Sequence, residues 1–248
     1  MTVNPKTFLQ LCQQTCRWCG ITGNSTTQIP TTTVSQTGEL GRIVEYVDEA
    51  WLQMQVGTEY RLNRRKFTLT TADSDDKYAY SDAIDVDTGL AITRFKDWHL
   101  RDRQIPPRIH TQSVGVADQT PLTFATWEEW EYLYKTGSIQ SQTSRPHHIA
   151  VDPQDNIRLG LTPDGVYVVS GEYNRSAQVL TQESSPDAAV PDLPADFQNL
   201  IVYEAMLMYA DYETAPDVEK RAERGKLPLM NALGINQGPK WRLGRPLA

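Results

Sequence analysis

The two ends of the chain carry the apolar spacing of amphipathic helices. A first helix is predicted over residues 4–19, with Asn4 as its N-cap, Pro5 in its first turn and Gly20 after its end. A second helix follows Thr37, after a polar connection rich in Ser and Thr. Its apolar stripe keeps the three- and four-residue spacing of a buried helix face. The stripe consists of Leu40, Ile43, Val44, Val47, Trp51 and Met54.

The middle of the chain changes to short runs of β-branched and aromatic residues separated by turn residues, a pattern typical of strands. One short helix, Trp127 to Tyr134, interrupts this block after a capping Thr126. Turn sequences at 152–156 and 162–165 predict a tight antiparallel meander from 147 to 174. The predicted strands are Phe67–Thr71, Tyr78–Ser81, Ala91–Leu100, His148–Val151, Ile157–Gly160 and Val166–Tyr173.

The last part of the chain returns to helical spacing. After a proline-rich linker, the residues from 194 to 212 are apolar nearly all the way round, which indicates a helix covered on several sides. A charged helix is predicted from Asp217 to about Arg224, limited by Gly225 and Pro228.

This order predicts an α+β fold, with a helical core from both chain ends, a large antiparallel β-rich insertion and an extended tail. The predicted boundaries are 1–63 and 183–233 for the helical core, 64–182 for the insertion and 234–248 for the tail.

Composition narrows the class of protein. The chain has 248 residues, of which 39% are hydrophobic and 22% charged, so it is globular rather than disordered. A net charge of -7 argues against a surface that coats nucleic acid. From Arg224 onward every charged residue is basic, so an acidic body ends in a basic tail. The amino-terminal segment lacks the apolar run of a secretory signal peptide, which favours the cytosol.

Three cysteines form the sharpest chemical motif. Cys12, Cys16 and Cys19 have the CxxxCxxC spacing that resembles the cluster motif of radical S-adenosylmethionine enzymes. They fall inside a predicted amphipathic helix, however, where small apolar residues on a buried face are the simpler interpretation. A zinc site that adds His147 and His148 is weaker still, because neighbouring strand residues point to opposite faces.

Other motifs do not indicate catalysis. Asp82, Asp85 and Asp87 depart from the spacing of a calcium loop and are expected to form a solvated turn. The chain contains no phosphate-binding loop, nucleophile elbow or HExxH sequence. We therefore expect no catalytic residue, no metal and no cofactor.

The final residues combine an aromatic ring and leucines with cations. Trp and Arg are enriched at interface hot spots, so the sequence predicts a docking tail rather than a frayed end. Its candidate contact residues are Lys240, Trp241, Arg242, Leu243, Arg245 and Leu247.

The order of segments resembles the head-to-tail adaptor, or connector, proteins of tailed bacteriophages, of the podovirus type. The resemblance covers most of the chain. Each matching segment is weak evidence alone, and the order of the segments along the chain is what supports the resemblance. They are Phe8–Cys12 with Gly20-Ile21, Gln36–Leu40, Trp130–Tyr134 with Gly137, Arg145-Pro146 with Asp152-Pro153, Gly171–Tyr173 with Gln178–Leu180, and Leu193-Pro194 through Ile201–Ala205.

The resemblance implies a structural virion protein rather than an enzyme, assembled in the host cytoplasm into the neck of the particle. Such adaptors form a ring beneath the portal, usually twelve-fold to match it. They continue the DNA channel without sequence-specific contacts, and they attach the downstream tail or nozzle protein. The resemblance assigns portal docking to the tail. Core or subunit contacts are assigned to Leu40, Val44, Trp51, Phe197, Ile201, Tyr203 and Met208.

One further alternative remains at this point. A β-rich receptor- or glycan-binding tail module would expose aromatic rings such as those of Trp98 and Trp127. It would bind its ligand without any portal protein.

Overall fold

The structure, a computed structural model, describes residues 4–21, 29–56, 61–102 and 104–237. The chain divides into two compact units. Both ends of the chain, up to residue 62 and from residue 177, form the helical unit. Residues 63–176 form the β-rich unit. The mixed α+β class with helices at both ends is as the sequence predicts.

Within its described residues, the helical unit contains four α-helices: α1 (Phe8–Cys19), α2 (Gly38–Val56), α4 (Asn199–Glu213) and α5 (Pro216–Gln237). Helix α4 contacts each of the other three. Its side chains are buried on several sides, and they include Leu200, Ile201, Val202, Ala205 and Met206. Because its apolar residues cover most of its circumference, α4 is stable only when neighbouring helices surround it.

Helix α1 starts later than the Asn4 cap predicts. Thr7 is its N-cap, and its hydroxyl accepts from the Gln10 amide while the Gln10 side chain accepts from the Thr7 amide. This reciprocal capping box satisfies two amides that the helix leaves unpaired. Gly20 ends the helix with a φ of 78°, a left-handed conformation that costs glycine little.

Helix α5 is longer than predicted. It continues through Gly225 and Pro228 to Gln237, instead of ending near Arg224. The proline lacks one amide donor, but Leu229, Met230 and Leu233 pack against the helical core. This packing keeps the second half of the helix in place despite the lost hydrogen bond.

The segment after residue 176 is tied to α2 by buried hydrogen bonds. The Gln55 side chain donates to the Gln178 carbonyl at 2.9 Å and accepts from the Gln178 amide at 2.7 Å. The Trp51 indole donates to the Gln178 side chain at 3.2 Å. Asp48 accepts from the Leu180 amide. Residues 177–182 therefore lie with the helical unit, whereas the sequence analysis grouped them with the insertion.

In the β-rich unit, the residues that the structure describes form ten strands in two sheets. They are β1 (Arg64–Thr70), β2 (Lys77–Tyr78), β3 (Ala83–Asp85), β4 (Asp97–His99), β5 (Arg108–Thr111), β6 (Thr120–Pro121), β7 (Thr123–Phe124), β8 (His148–Val151), β9 (Ile157–Gly160) and β10 (Tyr167–Asn174). The larger sheet has the order β3-β1-β10-β5-β6, and β4 also pairs with β10. The smaller sheet has the order β2-β9-β8-β7.

The predicted meander is only half correct. Strands β8 and β9 pair antiparallel, with Ile149 opposite Leu159, as the turn at 152–156 predicts. Strand β10 does not pair with β9, however. It lies in the centre of the larger sheet, between β1 on one side and β4 and β5 on the other. The sequence at 162–165 thus connects two sheets rather than closing a hairpin.

The short helix α3 (Trp127–Tyr134) is confirmed with its cap. Thr126 and Glu129 form a second capping box, in which each accepts from the backbone amide of the other. Trp130 is completely buried with Ala125 and Ala150. Its indole stacks on that of Trp127, with ring centroids 5.2 Å apart.

Asp85 is a buried structural carboxylate rather than part of a solvated turn. It is 5% exposed and accepts hydrogen bonds from the Tyr173 hydroxyl at 2.6 Å and from the amides of Asp87 and Thr88. Burial opposes ionisation, but these hydrogen bonds outweigh it and lower the pKa of Asp85. Desolvation and the bond to Asp85 raise the pKa of Tyr173. The carboxylate is therefore ionised at neutral pH.

We expect Asp85→Asn to lower the free energy of unfolding at pH 7 by about 1–3 kcal/mol, because it weakens charged hydrogen bonds in a buried place. The folded-state pKa lies below the unfolded one, so the contribution is present above about pH 4 and is lost as pH falls through the folded pKa. Urea denaturation between pH 7 and pH 3 measures both effects. Asp87→Asn is the control, because the Asp87 carboxylate is half exposed and pairs only with Arg65. Equal losses for the two variants would contradict the prediction.

Helix α5 approaches α4 closely at Gly225. A methyl group at this position would overlap the Tyr203 ring. We expect Gly225→Ala to destabilise the protein by about 1–3 kcal/mol through overpacking.

The matched control is Gly234→Ala in the same helix, where a methyl group meets no atom within 4 Å. Helix propensity predicts that this variant is neutral or more stable by up to about 1 kcal/mol. Thermal and chemical denaturation measure both variants. A neutral Gly225→Ala would show that the two helices are not held at this distance.

Candidate interaction surfaces

The helix residues assigned to core or subunit contacts separate into two groups. Val44, Trp51 and Ile201 are buried inside the helical unit itself. The other four, Leu40, Phe197, Tyr203 and Met208, are partly buried against the same cluster. The first three therefore serve the core of their own unit. Whether the second group also contacts another subunit stays a prediction.

A stronger candidate for a contact surface lies on the second half of α5. From Leu227 to Gln237 the helix contains no charged residue. Leu227 is 66% exposed and Ile235 is 82% exposed. They are eight residues apart, so they share one face of the helix with Asn231 between them. We call the exposed side chains of 227–237 the α5 surface.

The α5 surface is not among the sequence predictions, because the helix was expected to end near Arg224, before these residues. The signal was present in the sequence as an abrupt loss of charge after Lys226. Only the continuation of the helix to Gln237 places Leu227 and Ile235 on one exposed face.

Most of the predicted docking tail lies outside the described residues. This holds for all six of its candidate contacts, Lys240, Trp241, Arg242, Leu243, Arg245 and Leu247. Helix α5 extends to Gln237, so residues 234–237 of the tail predicted over 234–248 are helical instead.

The cysteines occupy the buried face of α1. Cys12 and Cys16 are completely buried, and Cys19 is partly buried. Since they lie in one continuous helix, Cys12 and Cys19 are about 10 Å apart along its axis, too far for one cluster. Desolvation raises the pKa of Cys16 to about 11 and that of Cys19 to about 12. These thiols stay protonated at neutral pH, so they are poor metal ligands.

Nor do the other residues that were weighed as metal ligands converge. The ring of His148 faces Tyr134, with 2.6 Å between Nδ1 and the hydroxyl oxygen. Asp85 is engaged by Tyr173, as described above. Across the described part of the chain, no group of three or more His, Cys, Asp or Glu side chains could hold a metal ion. Within the same residues, no helix has the length and apolar content to cross a membrane.

The rings expected of a receptor-binding module are buried or partly buried. Trp98 is only 9% exposed and packs against Phe67 and Phe95, and its indole donates to the Asp155 carbonyl. Trp127 is partly buried against Trp130. Trp98 therefore belongs to the core of the β-rich unit, and Trp127 packs at the edge of a smaller cluster. The structure does not support this alternative.

The β-rich unit carries two open clefts that meet at β7. The first, about 500 Å³, lies between Leu100–Asp102, Pro106 and the chain from Pro121 to Phe124. The second, about 460 Å³, lies between β7, His148 and the α3 residues Glu129, Tyr132 and Leu133. Thr123 and Phe124 line both clefts. Sequence reasoning missed them, because β7 is two residues long and carries no strand pattern.

A comparison with models of protein families identifies the family of this chain. The family model described as SU10 adaptor protein matches residues 6–246, which is nearly the whole chain. No curated protein matches. The family match agrees with the resemblance to phage adaptors that the order of segments indicates. The chain belongs to the SU10 adaptor protein family.

Proposed function

We propose that this protein is a head-to-tail adaptor subunit of a podovirus-type phage. Copies of the chain form a ring beneath the portal, continue the channel for the genome and provide the attachment site for the tail. The family match supports the general role of a structural adaptor in the virion. The observation that carries the ring itself is the α5 surface, which is uncharged, apolar at Leu227 and Ile235, and directly followed by the basic tail.

A ring requires that one face of each subunit complements a different face of the next. Exposed side chains such as Leu227 and Ile235 lose contact with water when a neighbouring subunit covers them, and their burial favours association. The twelve-fold symmetry that the resemblance implies would repeat this contact around the axis.

The charge of the chain suits a passive channel. A net charge of -7 repels the DNA backbone, so the genome passes without adhering or being read. No reaction is part of this role. The thiols of Cys12 and Cys16, the most reactive groups that the sequence offers, are buried as packing residues in α1.

We assign two partners to two different parts of the chain. The part of the tail after α5, residues 238–248, can span at most about 40 Å and brings Trp241 and its neighbouring cations to the portal. The β-rich unit is assigned to the downstream tail or nozzle protein. The adaptor is then a component of the neck of the virion, assembled in the host cytoplasm.

We expect the double variant Leu227→Glu and Ile235→Glu to stay folded but to lose the ring. Both side chains are exposed, so the substitutions spare the core, while like charges repeated on every subunit would repel. Sedimentation and electron microscopy of the purified protein, alone and mixed with its portal, measure the assembly.

The matched control for this variant is Val114→Glu with Val116→Glu in the β-rich unit, where the side chains are 57% and 73% exposed. These substitutions add the same charge at a site without an assigned ring contact. Rings formed by the α5 variant at the level of the control would reject the α5 surface as a subunit contact.

We expect deletion of residues 238–248 to abolish binding to the portal protein while the thermal unfolding of the body is unchanged. Helix α5 keeps its last turn in this truncation, because the helix ends at Gln237. A second variant replaces the eleven residues by glycine and serine, which keeps the length but removes Trp241 and the cations. Co-sedimentation with portal particles gives the readout. Undiminished binding by both variants would rule out the tail as the portal contact.

A further inference from the structure

Among the residues that the structure describes, strand β7 has one side without a strand partner. In this part of the chain it is the last strand of the smaller sheet and pairs with β8 alone, in parallel. The amides of Thr123 and Ala125 donate to carbonyls of His147 and Ile149. In a parallel ladder, alternate residues point their amides and carbonyls to opposite sides. The amide and carbonyl of Phe124 therefore point away from β8, towards the open side.

This edge lacks the protection that other edges carry. Proteins commonly block exposed edges with proline or charged side chains. Pro121 does so in β6, which precedes β7 and forms an edge of the larger sheet. Strand β7 contains only Thr123 and Phe124, and neither residue prevents the approach of another strand.

The two clefts lie where the side chains of an added strand would point. An extended peptide that pairs with Phe124 directs successive side chains to opposite faces. Leu100, Pro106 and Leu122 line the first cleft, and Tyr132 and Leu133 line the second. Tyr132 is 75% exposed although it borders this cleft. Each cleft can therefore receive an apolar side chain of the peptide.

The charges differ between the two clefts among the described residues. Arg101 and Asp102 both line the first cleft, so their charges balance, and Arg101 lies over the Phe124 ring, 5.1 Å from the ring centroid. Glu129 lines the second cleft. Glu128 precedes Tyr132 by one helical turn and is exposed beside it. The two glutamates make the second cleft negative, which favours a partner that carries lysine or arginine.

We propose that the β7 edge binds an extended segment of the downstream tail component, in which apolar residues alternate with basic ones. The segment adds a fifth strand to the smaller sheet through the backbone of Phe124 and places apolar side chains in the two clefts. This mode of recognition takes its affinity from backbone pairing and its specificity from the clefts. The identity of the partner rests on the proposed function, whereas the binding mode does not.

The experiment measures binding of a labelled, end-blocked peptide of alternating valine and lysine to the full-length protein by fluorescence anisotropy. We expect Phe124→Pro to bind at least about tenfold more weakly than Phe124→Ala, because both lose the ring but only proline loses the amide. Proline is tolerated on this side of an edge strand. Circular dichroism and thermal unfolding verify that both variants fold.

A change to the peptide tests the same bond without altering the protein. Methylation of the peptide nitrogens on one edge of the strand removes its donors, and we expect binding to fall by at least about tenfold. Unchanged binding after methylation on either edge, or equal affinities of the two Phe124 variants, would overturn strand addition.

Two single substitutions in α3 test whether negative charge contributes to peptide binding. We expect Glu128→Gln to weaken binding of the valine–lysine peptide by about two- to threefold at low salt. Glu131→Gln is the control, because Glu131 lies on a different side of α3 from Tyr132 and Leu133. A peptide of alternating valine and glutamate should bind more weakly than the lysine peptide. The opposite order would overturn the basic partner.

A peptide with the sequence of residues 238–248 tests whether the β7 edge binds the tail of a second copy instead of the downstream component. If it binds more tightly than the valine–lysine peptide with the same dependence on Phe124, the edge receives the tail of a second copy, and the downstream component is rejected. None of these measurements requires a ring or a portal. Loss of the ring role would therefore leave peptide binding intact, and failure of peptide binding would leave the ring role intact.

Discussion

The burial of α4 is the constraint on which the helical unit depends. This helix is apolar around most of its circumference, so it cannot lie on a surface and must be surrounded. Helices α1 and α2, which contact α4, come from the first part of the chain, whereas α4 and α5 come from the last part. The first and last helical segments of the chain must therefore pack together. The intervening 63–176 can then form a second compact unit without disturbing that core.

Buried hydrogen bonds and one close helix contact fix how the apolar segments of the helical unit pack. Gln55 and Gln178 are distant in sequence, yet they exchange two hydrogen bonds in a place where both residues are buried. An unpaired amide there would carry a desolvation cost, so these bonds specify where the chain rejoins α2. Gly225 has a comparable role between α4 and α5, because only a residue without a side chain lets the Tyr203 ring approach.

The reactive and charged groups that stand out in the sequence are buried and contribute to packing. The surfaces that are available for binding lie elsewhere. The thiols of α1 and the carboxylate of Asp85 are buried and hold their own unit together. The α5 surface and the β7 edge, in contrast, are accessible and carry few charges of their own. A protein that joins two partners needs surfaces of this kind, since the free energy of association comes from groups that are exposed before binding.

The sequence alone determined the fold class, helix α2, the cap of α3, strands β8 and β9, and the adaptor resemblance. These follow from local signals: the spacing of apolar residues, the Thr126–Glu129 pair and the turn at 152–156. Tertiary structure decided the length of α5, the placement of β10 in the larger sheet, the burial of Asp85 and the existence of β7. Each of these depends on partners distant in the chain. Helix α5 continues through Pro228 because Leu233 packs into the helical core. Thr123 and Phe124 form strand β7 because β8 lies beside them.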